Sequence, residues 1–208
     1  MKFRSTLWAL GLGAVASVTG AAVLAEGNPE RGKVLAYTCH GCHGIPNYKN
    51  AYPSYSVPKL GGQNAKYLEA ALRAYADGER SHPTMHAQAA TQSEQDRADI
   101  AAYLQSQPIE PPAEVVGTPP AALQTCVACH GADGARTVAD EYPILAGQQA
   151  DYIVQALEDY KSGKRKNAVM AGIITGVNAK DFPAIARFFA SQDGLCGTEE
   201  IRTHGQCP

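Results

Sequence analysis

Apolar residues recur along this chain at helical rather than strand spacing. Tyr67, Leu68, Ala71, Leu72 and Tyr75 fall at i, i+1, i+4, i+5 and i+8, one face of an α-helix. The same classes of residue return at Tyr152, Ile153, Ala156, Leu157 and Tyr160, displaced by 85 positions. Gly78 and Gly163 stand where a left-handed C-terminal cap would end those helices. A further helix is predicted in each half, with Ile100, Tyr103, Leu104 and Ile185, Phe188, Phe189 as its buried stripe. Ser93 and Asn178 are its N-caps, each with an aspartate three residues on (Asp96, Asp181) in the capping-box position. No segment alternates apolar and polar residues as a half-buried strand would. The pattern predicts an all-α chain built from two similar halves.

Five of the 13 prolines lie at Pro108, Pro111, Pro112, Pro119 and Pro120, a stiff, extended connector between those halves. The expected organisation is 26–107, linker 108–120, 121–194 and a tail 195–208. Two domains of about 80 residues bury little apolar surface, so each needs something besides side chains at its centre.

Residues 1–25 read as an export signal. Lys2 and Arg4 precede an apolar run from Leu7 to Val18, and Val23-Leu24-Ala25 suits cleavage after Ala25. The competing reading is an uncleaved anchor, although the run is rich in Gly, Ala, Ser and Thr. The formal charge is −2 and becomes more acidic once Lys2 and Arg4 are lost, so a nucleic-acid partner is not expected.

Chemistry concentrates in the cysteines. Cys39-His40-Gly41-Cys42-His43 and Cys126-Val127-Ala128-Cys129-His130 both read C-x-x-C-H, the motif that fixes haem through two thioethers and presents the following histidine to iron. The predicted cofactors are two covalently bound haem c groups. Beyond the initiator, the chain has only Met85 and Met170, which share the 85-residue offset and are the candidate second axial ligands. His82 and His86 flank Met85 without histidine counterparts and are expected at the surface, as are His40 and His204. Structural zinc would explain the paired cysteines but not the methionine register. A thioredoxin-like pair would need a βαβ context, which is missing. Cys196 and Cys207 lie outside both repeats and most simply form a disulfide in an oxidising compartment.

The doubled C-x-x-C-H, the segments Pro58-Lys59-Leu60-Gly61-Gly62-Gln63 and Pro143-Ile144-Leu145-Ala146-Gly147-Gln148, and the two methionines together resemble the cytochrome c4 family over roughly 28–192. The resemblance implies two tandem cytochrome c-like domains related by an approximate two-fold. It implies a periplasmic carrier, often membrane-associated, passing electrons from a quinol-oxidising complex toward a terminal oxidase. It also implies that the Pro58 and Pro143 carbonyls steady the proximal histidines. The alternatives are the cytochrome subunit of a larger dehydrogenase, such as a flavocytochrome that oxidises sulfide, and a two-haem peroxidase, which needs an open iron position.

Two features depart from the family pattern. One is the longer loop Ile45–Val57, with Tyr48, Tyr52 and Tyr55 in it and Tyr37 just upstream. The other is the cysteine-bearing tail. Both are candidate docking surfaces. Lys161, Lys164, Arg165 and Lys166 form a basic cluster before Met170, suited either to an acidic partner or simply to the end of a helix.

Overall fold

The computed structural model describes residues 26–109 and 111–197. The expected signal segment, His204 and Cys207 therefore lie outside the described residues. The first half contains α1 (Pro29–Leu35), a 3₁₀ turn (Ala36–Cys39), α2 (His40–His43), α3 (Ala65–Ala76), α4 (Pro83–Ala89) and α5 (Glu94–Gln105). The second contains a 3₁₀ turn (Ala121–Leu123), α6 (Gln124–His130), α7 (Ala150–Ser162), α8 (Ala168–Thr175), a 3₁₀ turn (Ala179–Asp181) and α9 (Phe182–Ala190). Among the described residues there is no strand, only isolated bridges at Lys49–Ser56 and Arg80–Arg165.

The predicted faces turn inward, those of α5 and α9 into the cores and much of those of α3 and α7 half-buried along the cavity. Leu68, Ile100, Tyr103 and Leu104 join Ala36 and Ala101 in the first core. Ile153, Ile185, Phe188 and Phe189 join Leu123, Ile174 and Phe182 in the second. Gly78 and Gly163 both adopt left-handed φ values, +73° and +76°, after α3 and at the end of α7.

Ser93 and Asp96 form the expected capping box on α5. Asn178 behaves differently: its side chain accepts from Lys180 N–H to close a 3₁₀ turn, and α9 starts only at Phe182. Pro183 explains the change: a helix running from Ala179 would need its N–H to donate to the Ala179 carbonyl, which proline cannot do, whereas proline suits the first turn of a helix that starts at Phe182.

α1 belongs to the first half alone. Its cap Asn28 accepts from Glu30 and Arg31 N–H, and Arg31 pairs with Asp96 and the buried Asp99 of α5. The two helices touch backbone to backbone: a Cβ on Gly32 would lie 1.9 Å from the Asp99 carbonyl oxygen. In the second half the connector is held by side chains instead. Gln192 holds both polar groups of the Val116 backbone, and Arg136 donates to the Pro112 carbonyl.

The halves meet through backbone as well as side chains. Ser81 N–H donates to Lys164 O at 3.0 Å and Lys166 N–H to Glu79 O at 2.8 Å, the pairing that brackets Arg80 and Arg165. The long loop of the first half is pinned to α7, where Asp151 accepts from Ser56 N–H and Oγ and from Lys49.

Gly32→Ala is expected to destabilise the holoprotein by about 1–3 kcal/mol, the cost of overpacking a closed helix contact. Gly172→Ala, where nothing lies within 4 Å of the added carbon, should be neutral or stabilising by up to about 1 kcal/mol. Chemical denaturation of the two variants checks both.

Candidate functional site

The first C-x-x-C-H runs from the end of a 3₁₀ turn through α2, and the second lies within α6. In both, the local helix brings the two cysteines and the histidine toward one cavity. His43 Nδ1 lies 2.8 Å from Pro58 O and His130 Nδ1 lies 2.9 Å from Pro143 O. A carbonyl only accepts, so each Nδ1 carries the hydrogen and each Nε2 the lone pair. Burial pushes His43 down to about 4, against the opposing pull of the Pro58 hydrogen bond. His130 is lowered for the same reason. Both are therefore neutral at physiological pH, the form that ligates a metal.

Those carbonyls are held in place by the chain that follows them. Gly62 N–H donates to Leu104 O at 2.7 Å and Gly147 N–H to Phe189 O at 2.9 Å, tying each turn to the last turn of α5 or α9. Gly62 and Gly147 sit at φ +80° and +72°, and a Cβ on Gly62 would strike Ile109 Cγ2 at 1.8 Å. Only glycine serves there.

Met85 and Met170 occupy matching positions in the first turns of α4 and α8. Asn167 Oδ1 accepts Met170 N–H at 3.0 Å, and His82 Nδ1 accepts Met85 N–H at 3.3 Å. His82 is thus a helix cap that lines the cavity, not a surface residue, with Nε2 3.2 Å from Asn50 Oδ1. His86 is exposed as expected, its Nδ1 2.8 Å from Tyr75 O. His40 is half-buried, its ring 6.3 Å from that of Tyr103, rather than solvent-facing.

One continuous cavity of about 600 Å³ is lined by all four motif cysteines, His43, His130, Met85 and Met170. Cys39, Cys42, Cys126 and Cys129 take part in no disulfide, whereas Cys196 is buried and disulfide-bonded. Its expected partner Cys207 is outside the described residues.

The cytochrome c family profile matches residues 29–108 and 121–192, covering both halves. The chain is 31% identical over 180 residues to cytochrome c4 of Pseudomonas aeruginosa, covering 79% of this chain and 88% of that one. It belongs to the cytochrome c4 family. The structure of Acidithiobacillus ferrooxidans cytochrome c4 matches at a TM-score of 0.60 and 29% identity, over 75% of this chain and 99% of that one. A thiosulfate dehydrogenase electron acceptor of Stutzerimonas stutzeri is 28% identical over 191 residues, 83% of this chain and 85% of that one. The protein is a two-haem cytochrome, an electron carrier rather than an enzyme, with two covalently bound haem c groups.

The cavity of this c4-type cytochrome fits that cofactor. Its walls are apolar side chains from the two cores, among them Leu68, Ile100, Ile153 and Phe189. At its centre are two cations that sequence reasoning missed. Arg80 and Arg165 are 9% and 8% exposed, and neither makes an ion pair among the described residues. Arg80 Nη2 donates to Tyr152 OH of the other half at 2.5 Å, and Arg165 Nη2 to Tyr67 OH at 2.8 Å. Their guanidinium carbons lie 4.3 and 4.5 Å from the ring centroids of Tyr75 and Tyr160. Burial resists ionisation of Tyr67, yet the charges of Arg165 and Arg80 bring its hydroxyl down to about 7. Buried cations without carboxylates are costly unless an anion meets them, and a haem carries two carboxylates. Arg165 consequently leaves the surface basic cluster expected from sequence. The signal for the pair was the 85-residue offset, hidden because only Arg165 stood among lysines.

Replacing both arginines by glutamine should leave two haems per chain but lower both reduction potentials, since buried positive charge favours the ferrous form. Potentiometric titration is the check.

Proposed function

We propose that His43 and Met85 ligate one iron and His130 and Met170 the other, with Cys39, Cys42, Cys126 and Cys129 holding the two haems. The observation that carries this reading is the placement, in each half, of one neutral histidine and one methionine on a shared cavity. When bound, each haem supplies a one-electron ferric–ferrous couple, and thioether ligation favours a high potential. The polypeptide supplies the rest. Proline carbonyls fix the imidazoles, helix caps fix the methionines, and apolar walls keep water from the metal. With His43 and Met85 on one iron and His130 and Met170 on the other, no position would remain for peroxide, which argues against the two-haem peroxidase.

In this reading 26–107 and 121–194 are the two domains, 108–120 connects them, and 195–208 is an appended tail. Residues 1–25 direct export, and the mature protein works in the periplasm, where c-type haem is handled, with peripheral contact to the membrane. Among the described residues no helix is long and apolar enough to cross a membrane. The carrier takes electrons from a quinol-oxidising complex and delivers them toward a terminal oxidase.

A second reading is favoured by the likeness to the thiosulfate dehydrogenase electron acceptor. Here the chain is the dedicated acceptor of a dehydrogenase that oxidises a sulfur compound. The loop Ile45–Val57, which includes the 97%-exposed Tyr52 and lies beside the first motif, is then the docking element.

Met85→Ala and Met170→Ala should each retain two haems by pyridine haemochrome, yet each should lose part of the far-red iron–methionine band of the oxidised protein. A single variant abolishing the whole band, or neither altering it, contradicts the ligand assignment. Anaerobic stopped-flow reduction separates the partners: a quinol-oxidising complex should reduce the chain faster than a thiosulfate-oxidising dehydrogenase if the respiratory reading holds, and slower if the second does.

A further inference from the structure

Haem attachment does not account for two buried glutamines. Gln63 and Gln148 are 3% and 4% exposed, and each ends the turn that begins with a histidine-binding proline. Neither side chain serves its own turn's proline. Gln148 Oε1 accepts Lys59 N–H at 2.9 Å while its Nε2 donates to Lys59 O at 3.0 Å, across the boundary between halves. Gln63 Oε1 accepts Ile144 N–H at 2.8 Å and its Nε2 donates to Ile144 O at 2.9 Å, in the opposite direction. Each Oε1 also accepts the N–H of the next residue, Gln149 or Asn64, at 3.0 Å, which locks the amide in place.

The chemistry of these contacts lies in which peptide group they grip. Pro58 C=O and Lys59 N–H belong to one amide. Its oxygen accepts from His43 Nδ1, and its hydrogen goes to Gln148. Pro143 C=O and Ile144 N–H form the matching amide between His130 and Gln63. Hydrogen bonds in such a chain polarise one another, so an acceptor on the N–H makes the carbonyl oxygen a stronger acceptor. A stronger acceptor on Nδ1–H makes the imidazole a better donor to its metal, which favours the ferric state.

We infer that Gln148 is a positioning residue for the first half's histidine and Gln63 for the second half's, so that each half tunes the haem of the other. This rests on the assignment of His43 and His130 as iron ligands proposed above. Removing a glutamine withdraws polarisation from the far amide and loosens its carbonyl, so the far haem becomes easier to reduce. If the glutamines only glued the interface, their loss would disturb both haems alike or neither.

The test uses the holoprotein with Gln148→Leu and Gln63→Leu, which keep similar volume without polar atoms. Haem content and the far-red band are measured first, on wild type and variants. Potentials are then resolved by titration followed through the haem-methyl proton resonances, each set assigned to a half by the signals that Met85→Ala shifts. Gln148→Leu should raise the potential of the Cys39/Cys42 haem and move its resonances while the other stays put. Gln63→Leu should do the converse. Gln148→Glu keeps an accepting oxygen toward Lys59 N–H, so it should hold the first-half potential at or below wild type. It carries the test if the leucine variant fails to assemble. A shift confined to the variant's own half, equal shifts at both haems, or none, with haem content and band intact, overturns the inference. A wild-type protein with two haems but no iron–methionine band and no axial-histidine resonances would overturn the ligand assignment instead, so the two failures are distinct.

Discussion

The hydrogen bond from a motif histidine to a proline carbonyl is the contact around which each half of this chain is arranged. A covalent thioether anchors a haem's edge but leaves the imidazole free to rotate; the carbonyl removes that freedom and fixes which nitrogen bears the lone pair. Holding the carbonyl takes a turn that a side chain at its glycine would spoil, and that turn hangs from the last backbone oxygens of α5 and α9. The buried stripes on those helices, Ile100 to Leu104 and Ile185 to Phe189, therefore do more than fill a core. They set the height at which the imidazole sits in the cavity.

A second constraint is electrostatic. Two guanidinium groups are buried close to the pseudo-two-fold, each stacked on a tyrosine of its own half and bonded to a tyrosine of the other. The tyrosines satisfy the donors, and Tyr67, brought down to about 7, offsets only part of the two charges, so the cavity keeps a positive centre. A bound haem's carboxylates would complete that arrangement, which the polypeptide alone does not.

Much of this was legible in the sequence, and the limits have physical causes. The helical faces, the left-handed glycines, the Ser93 box and the methionine register all follow from local periodicity, which folding preserved. Asn178 misled because Pro183 cannot donate the backbone bond that would continue an α-helix begun at Ala179, so the cap closes only a 3₁₀ turn. His82 misled because an imidazole and the Asn167 amide offer the same accepting lone pair to a helix N-terminus while looking unlike in sequence. Arg80 was passed over and Arg165 placed in a surface cluster because a guanidinium is read as a surface group unless something marks its burial, and the marks here, four tyrosines, come from two distant segments. The glutamines were visible as a repeated motif, but no spacing rule reveals that a side chain reaches the other copy.

The antiparallel pairing of 79–81 with 164–166, crossed by reciprocal arginine and glutamine contacts, is isologous: the same patch on each copy meets itself, as in a two-fold homodimer. The connector 108–120 turns that association into an intramolecular event, at an effective concentration that for short tethers is on the order of millimolar. An interface too weak to hold two separate chains together at cellular abundance can thus stay closed here. The tether also lets the two copies differ without either losing its partner: one carries α1 and the tyrosine loop, the other a lysine-edged face.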